Sequence, residues 1–150
     1  MALGDGVNEM FTPLSLEAEP ELHYGPQGGQ HYVLGMRVDN PNPSAPGFEI
    51  RFVVRGATEC ALDAEGCAEW VTFAERTAIV NDEALLRTTV EGAVVAAGYV
   101  VVLDEHPYQW AGAVDTRVQI VAEVRDRCDR RGAAAYDFVA TGYTHETGYY

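Results

Sequence analysis

Three segments of this chain place apolar residues at every second position, and a period of two is the signature of a strand with one face in a core. In QHYVLGMRVDN, Tyr32, Leu34, Met36 and Val38 share one face, while His31, Val33, Gly35 and Arg37 share the other. FEIRFVVRG sets Phe48, Ile50, Phe52 and Val54 against Glu49, Arg51, Val53 and Arg55. TRVQIVAEVRDR sets Val118, Ile120, Ala122 and Val124 against Arg117, Gln119, Glu123 and Arg125. A helix would scatter each apolar set around its axis, so all three are read as half-buried strands.

Further strands are expected at Leu14 to Ala18, Trp70 to Val80, Leu86 to Val90, Val94 to Leu103 and Ala134 to Thr141. Between them stands turn chemistry. NPNPSAPG at 40 to 47 carries three prolines, which remove amide donors and restrict their neighbours, so it joins two strands across an end. RDRCDRRG at 125 to 132 reads as a hairpin tip, with Asp129 and Gly132 suited to turn conformations. Only Asn81 to Leu86 offers a cap and a carboxylate for a helical turn. Seven or eight short strands with little helix predict an all-β, two-sheet antiparallel sandwich, best described as an immunoglobulin-like Greek key. The antibody-type spacing of Cys, Trp and Cys is missing. At 150 residues the chain is expected to form a single domain, with 1–12 and 142–150 as terminal arms.

Charge excludes several partners. The net charge is −13, from 23 carboxylates against ten basic residues, every one of them arginine. Such a field repels polyphosphates, so nucleic acid is not expected as a partner. Without lysine, neither a P-loop nor Schiff-base chemistry can be built. The longest apolar stretch, Ala93 to Leu103, is too short to cross a bilayer and contains Gly98, so no membrane insertion is expected. Residues 1–12 lack the pattern of a signal peptide. Either the protein is cytoplasmic, or it is extracellular or periplasmic after removal of a leader.

Cys60 and Cys67 flank a polar loop, ALDAEG, that a disulfide could close, and this pair is the expected bridge. It would imply an oxidising compartment. Three unbridged thiols are the alternative, and the wide spacing disfavours zinc. Reach to Cys128 depends on strand count. One strand between Val80 and Thr116 puts the 57–68 loop and the 127–133 tip at opposite ends, leaving Cys128 free. Two strands hinged at Glu91 and Gly92 would return the tip to the loop's end. The first arrangement is preferred.

The glycine-rich stretch GPQGGQH precedes a strand and not a helix, so it is read as a turn and not a phosphate cradle. Pro26 and one of Gly28 or Gly29 would supply the turn geometry. A hairpin there could bring His23 and His31 together as copper or zinc ligands, with Glu21 or His145 as a third. No cofactor is otherwise expected. Catalytic constellations are missing: Ser15 and Ser44 stand outside any nucleophile elbow, and Cys128 lies among Arg125, Arg127, Arg130 and Arg131 but lacks a positioned base, His106 being too distant in sequence to assign. Asp39, Asn40, Asn42, Asp104 and Glu105 match no calcium-loop pattern. The tail GYTHETGYY would expose Tyr143, Tyr149 and Tyr150 unless a surface covers them, which marks them as interaction residues.

In HYGPQGGQHYVLGMRVDN with the following FEIRFVVRG, and again in TRVQIVAEVRDRCDRRGAAAYDFVA, the chain resembles uncharacterised exported domains of high-GC bacteria. Those are commonly lipoproteins carrying a GPQGG-x-H turn before a strand. The resemblance spans Leu22 to Phe52 and Thr116 to Ala140. It implies an immunoglobulin-like sandwich outside the cytoplasm and brings no activity with it. The function expected is therefore a non-enzymatic exported module that binds a protein partner or self-associates, with a copper- or zinc-binding protein as the alternative.

Overall fold

In a computed structural model, residues 1–15, 20–24, 29–42, 47–57, 70–80, 87–88, 91–103 and 116–140 are described. The strands are β1 (Ala2–Asp5), β2 (Thr12–Pro13), β3 (Leu22–Tyr24), β4 (Gln30–Val38), β5 (Phe48–Ala57), β6 (Trp70–Val80), β7 (Arg87–Thr88), β8 (Val94–Leu103), β9 (Thr116–Asp126) and β10 (Arg131–Ala140). The only helical element among the described residues is a 3-10 turn at Val7–Glu9. No helix there is long and apolar enough to cross a membrane.

The strands form two antiparallel sheets packed face to face. One has the order β2-β1-β4-β8-β7 and the other β10-β9-β5-β6. The chain crosses between sheets after β4, after β6 and after β8. With β1-β4-β8-β7 facing β10-β9-β5-β6, this is the immunoglobulin-like Greek key with a fourth strand, β6, added to the second sheet. One edge of β4 is shared: β1 pairs with its second half and β3 with its first, so two collinear segments do the work of one strand.

Alternation delivers the core it implies. Tyr32, Leu34 and Met36 from β4, Phe48, Ile50, Phe52 and Val54 from β5, and Val118, Ile120, Ala122 and Val124 from β9 are all buried between the sheets. Leu3, Val101, Leu103 and Phe138 close the same cluster. Burial raises the Tyr32 phenol well above its ordinary value. A bulge interrupts β8 opposite Leu34 and Met36, and Gly98 takes it with φ of 86°, a conformation side chains resist.

Several expectations need adjustment. Residues 1–12, expected as an arm, hold β1, whose Leu3 lies in the core, and part of β2. The strand expected at Leu14 to Ala18 does not include Leu14: the strand here is Thr12–Pro13, the residues paired with β1, Ser15 makes an isolated bridge, and 16–18 lie outside the described residues. Gly132 is not a turn residue: it pairs with Val124 inside β10, and Asp129 alone takes the positive φ, 64°. Gly29 has no positive φ, and Gly28 and the helical turn at Asn81 to Leu86 lie outside the described residues.

The thiol geometry combines both arrangements considered for it. Among the described residues two strands separate β6 from β9, with Glu91 and Gly92 between them, yet β7 is only two residues long and pairs with Val94 and Val95 without leaving its end of the sheet. One traverse, β8, therefore decides the polarity. Ala57 and Trp70, which flank the segment holding Cys60 and Cys67, pair at the opposite end from the Asp126 to Arg131 tip. Cys128 is a free, exposed thiol, and Cys60 and Cys67 themselves lie outside the described residues.

Candidate interaction surface

A two-layer sandwich leaves its sheet edges as rows of backbone N–H and C=O groups without strand partners, and such edges are the default sites of association. The margins at β2, β8 and β6 are blunted. β2 is two residues long and contains Pro13, which has no donor to offer. β8 is covered at Val94 and Val95 by β7, and its Val100 carbonyl accepts from the Arg76 guanidinium. β6 carries the partner half of a register irregularity at Val54 and Arg55, and its Arg76, opposite Phe52, is a charged side chain on the core-facing side. Inward charges and bulges are recognised protections against edge pairing.

The β10 edge has no such device in its strand, although Met1 packs beside Gly132 and the Tyr136 hydroxyl donates to the Ser15 carbonyl at 2.6 Å. β10 pairs with β9 residue for residue from Arg131 to Ala140 with no register shift and no proline. None of the described strands pairs with its outer edge. Its hydrogen-bond polarity follows from the tip, where the Asp126 N–H donates to the Arg130 carbonyl at 2.9 Å. Antiparallel bonding alternates, so even-numbered β10 residues bond β9 while Arg131, Ala133, Ala135 and Asp137 turn their N–H and C=O groups outward.

Two polar rows stiffen the outer face of this sheet. Arg51 bridges neighbouring strands, donating from Nε to Glu75 at 2.8 Å on β6 and from a terminal nitrogen to Glu123 at 2.9 Å on β9. The guanidinium beside Glu75 holds that carboxyl below its ordinary range. A second row runs from Trp70, whose ring lies 5.2 Å beneath the Arg55 guanidinium, through Gln119 to Asp137, which accepts from Gln119 at 2.5 Å and from Arg117 at 3.2 Å. Sequence alternation placed Arg51, Arg55 and Gln119 on this face but not in these rows, because cross-strand neighbours depend on register.

The hairpin tip is organised by Asp126. Its Oδ1 accepts from the N–H groups of Cys128 and Arg130, both at 2.9 Å, and its Oδ2 accepts from Arg130 Nε at 2.6 Å. Burial alone would raise this carboxyl, but the donors outweigh it and the group titrates below its ordinary value. Arg125 pairs with Asp129 at 2.6 Å and Arg131 pairs with the same oxygen at 3.3 Å. Three of the four arginines around Cys128, namely Arg125, Arg130 and Arg131, are thus paired with carboxylates, and the tip is not a bare cationic site. Asn42 Nδ2 donates to Cys128 Sγ at 3.3 Å, tying the preceding loop to the hairpin.

His23 and His31 are brought together: they are direct cross-strand partners, with ring centroids 5.7 Å apart and planes inclined by 26°. Stacked rings present faces to one another and not nitrogens to a common centre. No group of three histidine, cysteine or carboxylate residues suited to a metal ion occurs among the described residues. His23 is buried and His31 is half-buried. His106, His145, Tyr143, Tyr149 and Tyr150 lie outside the described residues.

No family model, no curated protein and no solved structure matches the chain.

Proposed function

We propose that this protein is a non-enzymatic β-sandwich module that acts outside the cytoplasm by binding a protein partner or assembling with itself. The observation that carries the reading is the contrast between edges: β2, β6 and β8 are each blunted, while β10 offers a regular ten-residue edge. A sandwich that blunts its β2, β6 and β8 margins and keeps β10 regular has the layout of a module that adds a strand at β10, with main-chain hydrogen bonds giving affinity and side chains giving selectivity. Tyr143, Tyr149 and Tyr150 would supplement that contact, since tyrosine combines a large apolar ring with a polar tip. Export fits the reading, as does the −13 charge, which keeps such a surface from indiscriminate association.

Size-exclusion chromatography with light scattering, run on the full chain and on residues 1–141, tests it. The expected result is a species larger than a monomer for the full chain that is diminished on truncation. Monomers in both cases, together with no captured protein partner, would contradict the reading.

A further inference from the structure

The geometry points to a second copy of this chain as the occupant of the β10 edge, paired antiparallel about a two-fold axis through Ala134. This inference rests on the assembly reading above and narrows it to one edge, one partner and one register.

The register follows from parity and charge. A two-fold between identical antiparallel strands pairs residues whose numbers have a constant sum, and the outward N–H and C=O groups belong to odd-numbered residues. With the axis on Ala134, Arg131 faces the second copy's Asp137, Ala133 faces its Ala135, and symmetry repeats both contacts. All four are outward-bonding residues, so each facing pair can exchange its two main-chain hydrogen bonds. Moving the axis by one residue puts Asp137 opposite Asp129 or Ala133. The first of those opposes like charges and the second forfeits the ion pair. Only the Ala134 register sets Arg131 directly opposite Asp137.

Side-chain size agrees with this register. Ala133 and Ala135 are small and uncharged, so the facing positions nearest the axis bring no like charges or crowded side chains together. Arg131 has a side chain 71% exposed and Asp137 one 34% exposed, so the contact across the axis would add to the pairs each already makes, with Asp129 and with Arg117. The tip carboxylate Asp129 lies beyond the paired segment in this register.

The test is sedimentation equilibrium on the full chain and three variants, each first checked for native far-ultraviolet circular dichroism and cooperative unfolding. Ala135→Pro removes an N–H that bonds nothing within the sandwich, so the fold is retained while association is expected to disappear. Arg131→Asp turns both symmetric contacts into like-charge pairs and should weaken dimerisation at least about tenfold. The double variant Arg131→Asp with Asp137→Arg restores opposite charges across the axis and should recover most of that loss. An oligomer unaffected by Ala135→Pro, or no recovery in the double variant, would overturn the β10 register while leaving assembly through another surface intact. A full chain that is monomeric at every concentration would overturn the inference and self-assembly together, leaving only a foreign protein partner.

Discussion

A single carboxylate, Asp126, holds the shape of the tip that leads into β10. It gathers two backbone donors and one guanidinium, groups that a four-residue reversal would otherwise leave to solvent. Because its folded pKa lies below its unfolded value of about 3.9, its contribution to stability is complete above that value and is lost as pH falls through the lower folded one. Asp126→Ala is therefore expected to lower the melting temperature by several degrees near neutrality, with the difference narrowing as pH drops below about 4. Melting curves of both proteins across that range check it, and a difference independent of pH would assign the loss to packing instead of charge. Asp5 runs the other way. Burial raises its carboxyl, against donors from Gly6 and Val7, so its ionised form opposes the fold as pH rises. The tip was legible in RDRCDRRG as a hairpin, but Asp126 as its organiser was not, since hydrogen bonds to residues two and four positions ahead require the turn to be known.

Strands show where reading a sequence succeeds and where it stops. β6 and β8 fall where Trp70 to Val80 and Val94 to Leu103 were expected, and the buried faces of β4, β5 and β9 are those assigned by alternation, because one hydrophobic face suffices to fix them. The first strands were harder. Ala2 to Asp5 is short, contains Gly4, and gains its place only by completing the edge of β4, a long-range pairing without a local signature. Edge protection was likewise invisible: Arg76 reads as one polar residue in an alternating run until register sets it opposite Phe52. Replacing it with an apolar residue of strand preference isolates its role. Arg76→Val should leave the secondary structure intact but open the β6 margin, producing larger species by light scattering than the unaltered chain at equal concentration. Unchanged size would show that the bulge suffices to guard that strand.

Taken whole, the molecule is an anionic sandwich whose core is specified strongly and whose surface is specified at its margins. The candidate metal pair illustrates the limit of the sequence at this scale. It placed His23 and His31 side by side, correctly, but spacing carries no information on how two imidazoles are oriented, and here they stack. The same limit hid the contrast between blunted and regular edge strands, which exists only once ten strands have been assigned neighbours. The central claim is that assembly proceeds through the outward amides of β10. Amide hydrogen exchange followed by nuclear magnetic resonance at dilute and concentrated protein tests it residue by residue. The account predicts that the Ala133 and Ala135 amides exchange freely when dilute and slow at least about tenfold on concentration, while Gly132 and Ala134, bonded to β9, are slow throughout. Exchange at Ala133 and Ala135 that does not change with concentration, or slowing that falls on β6 instead, would contradict it.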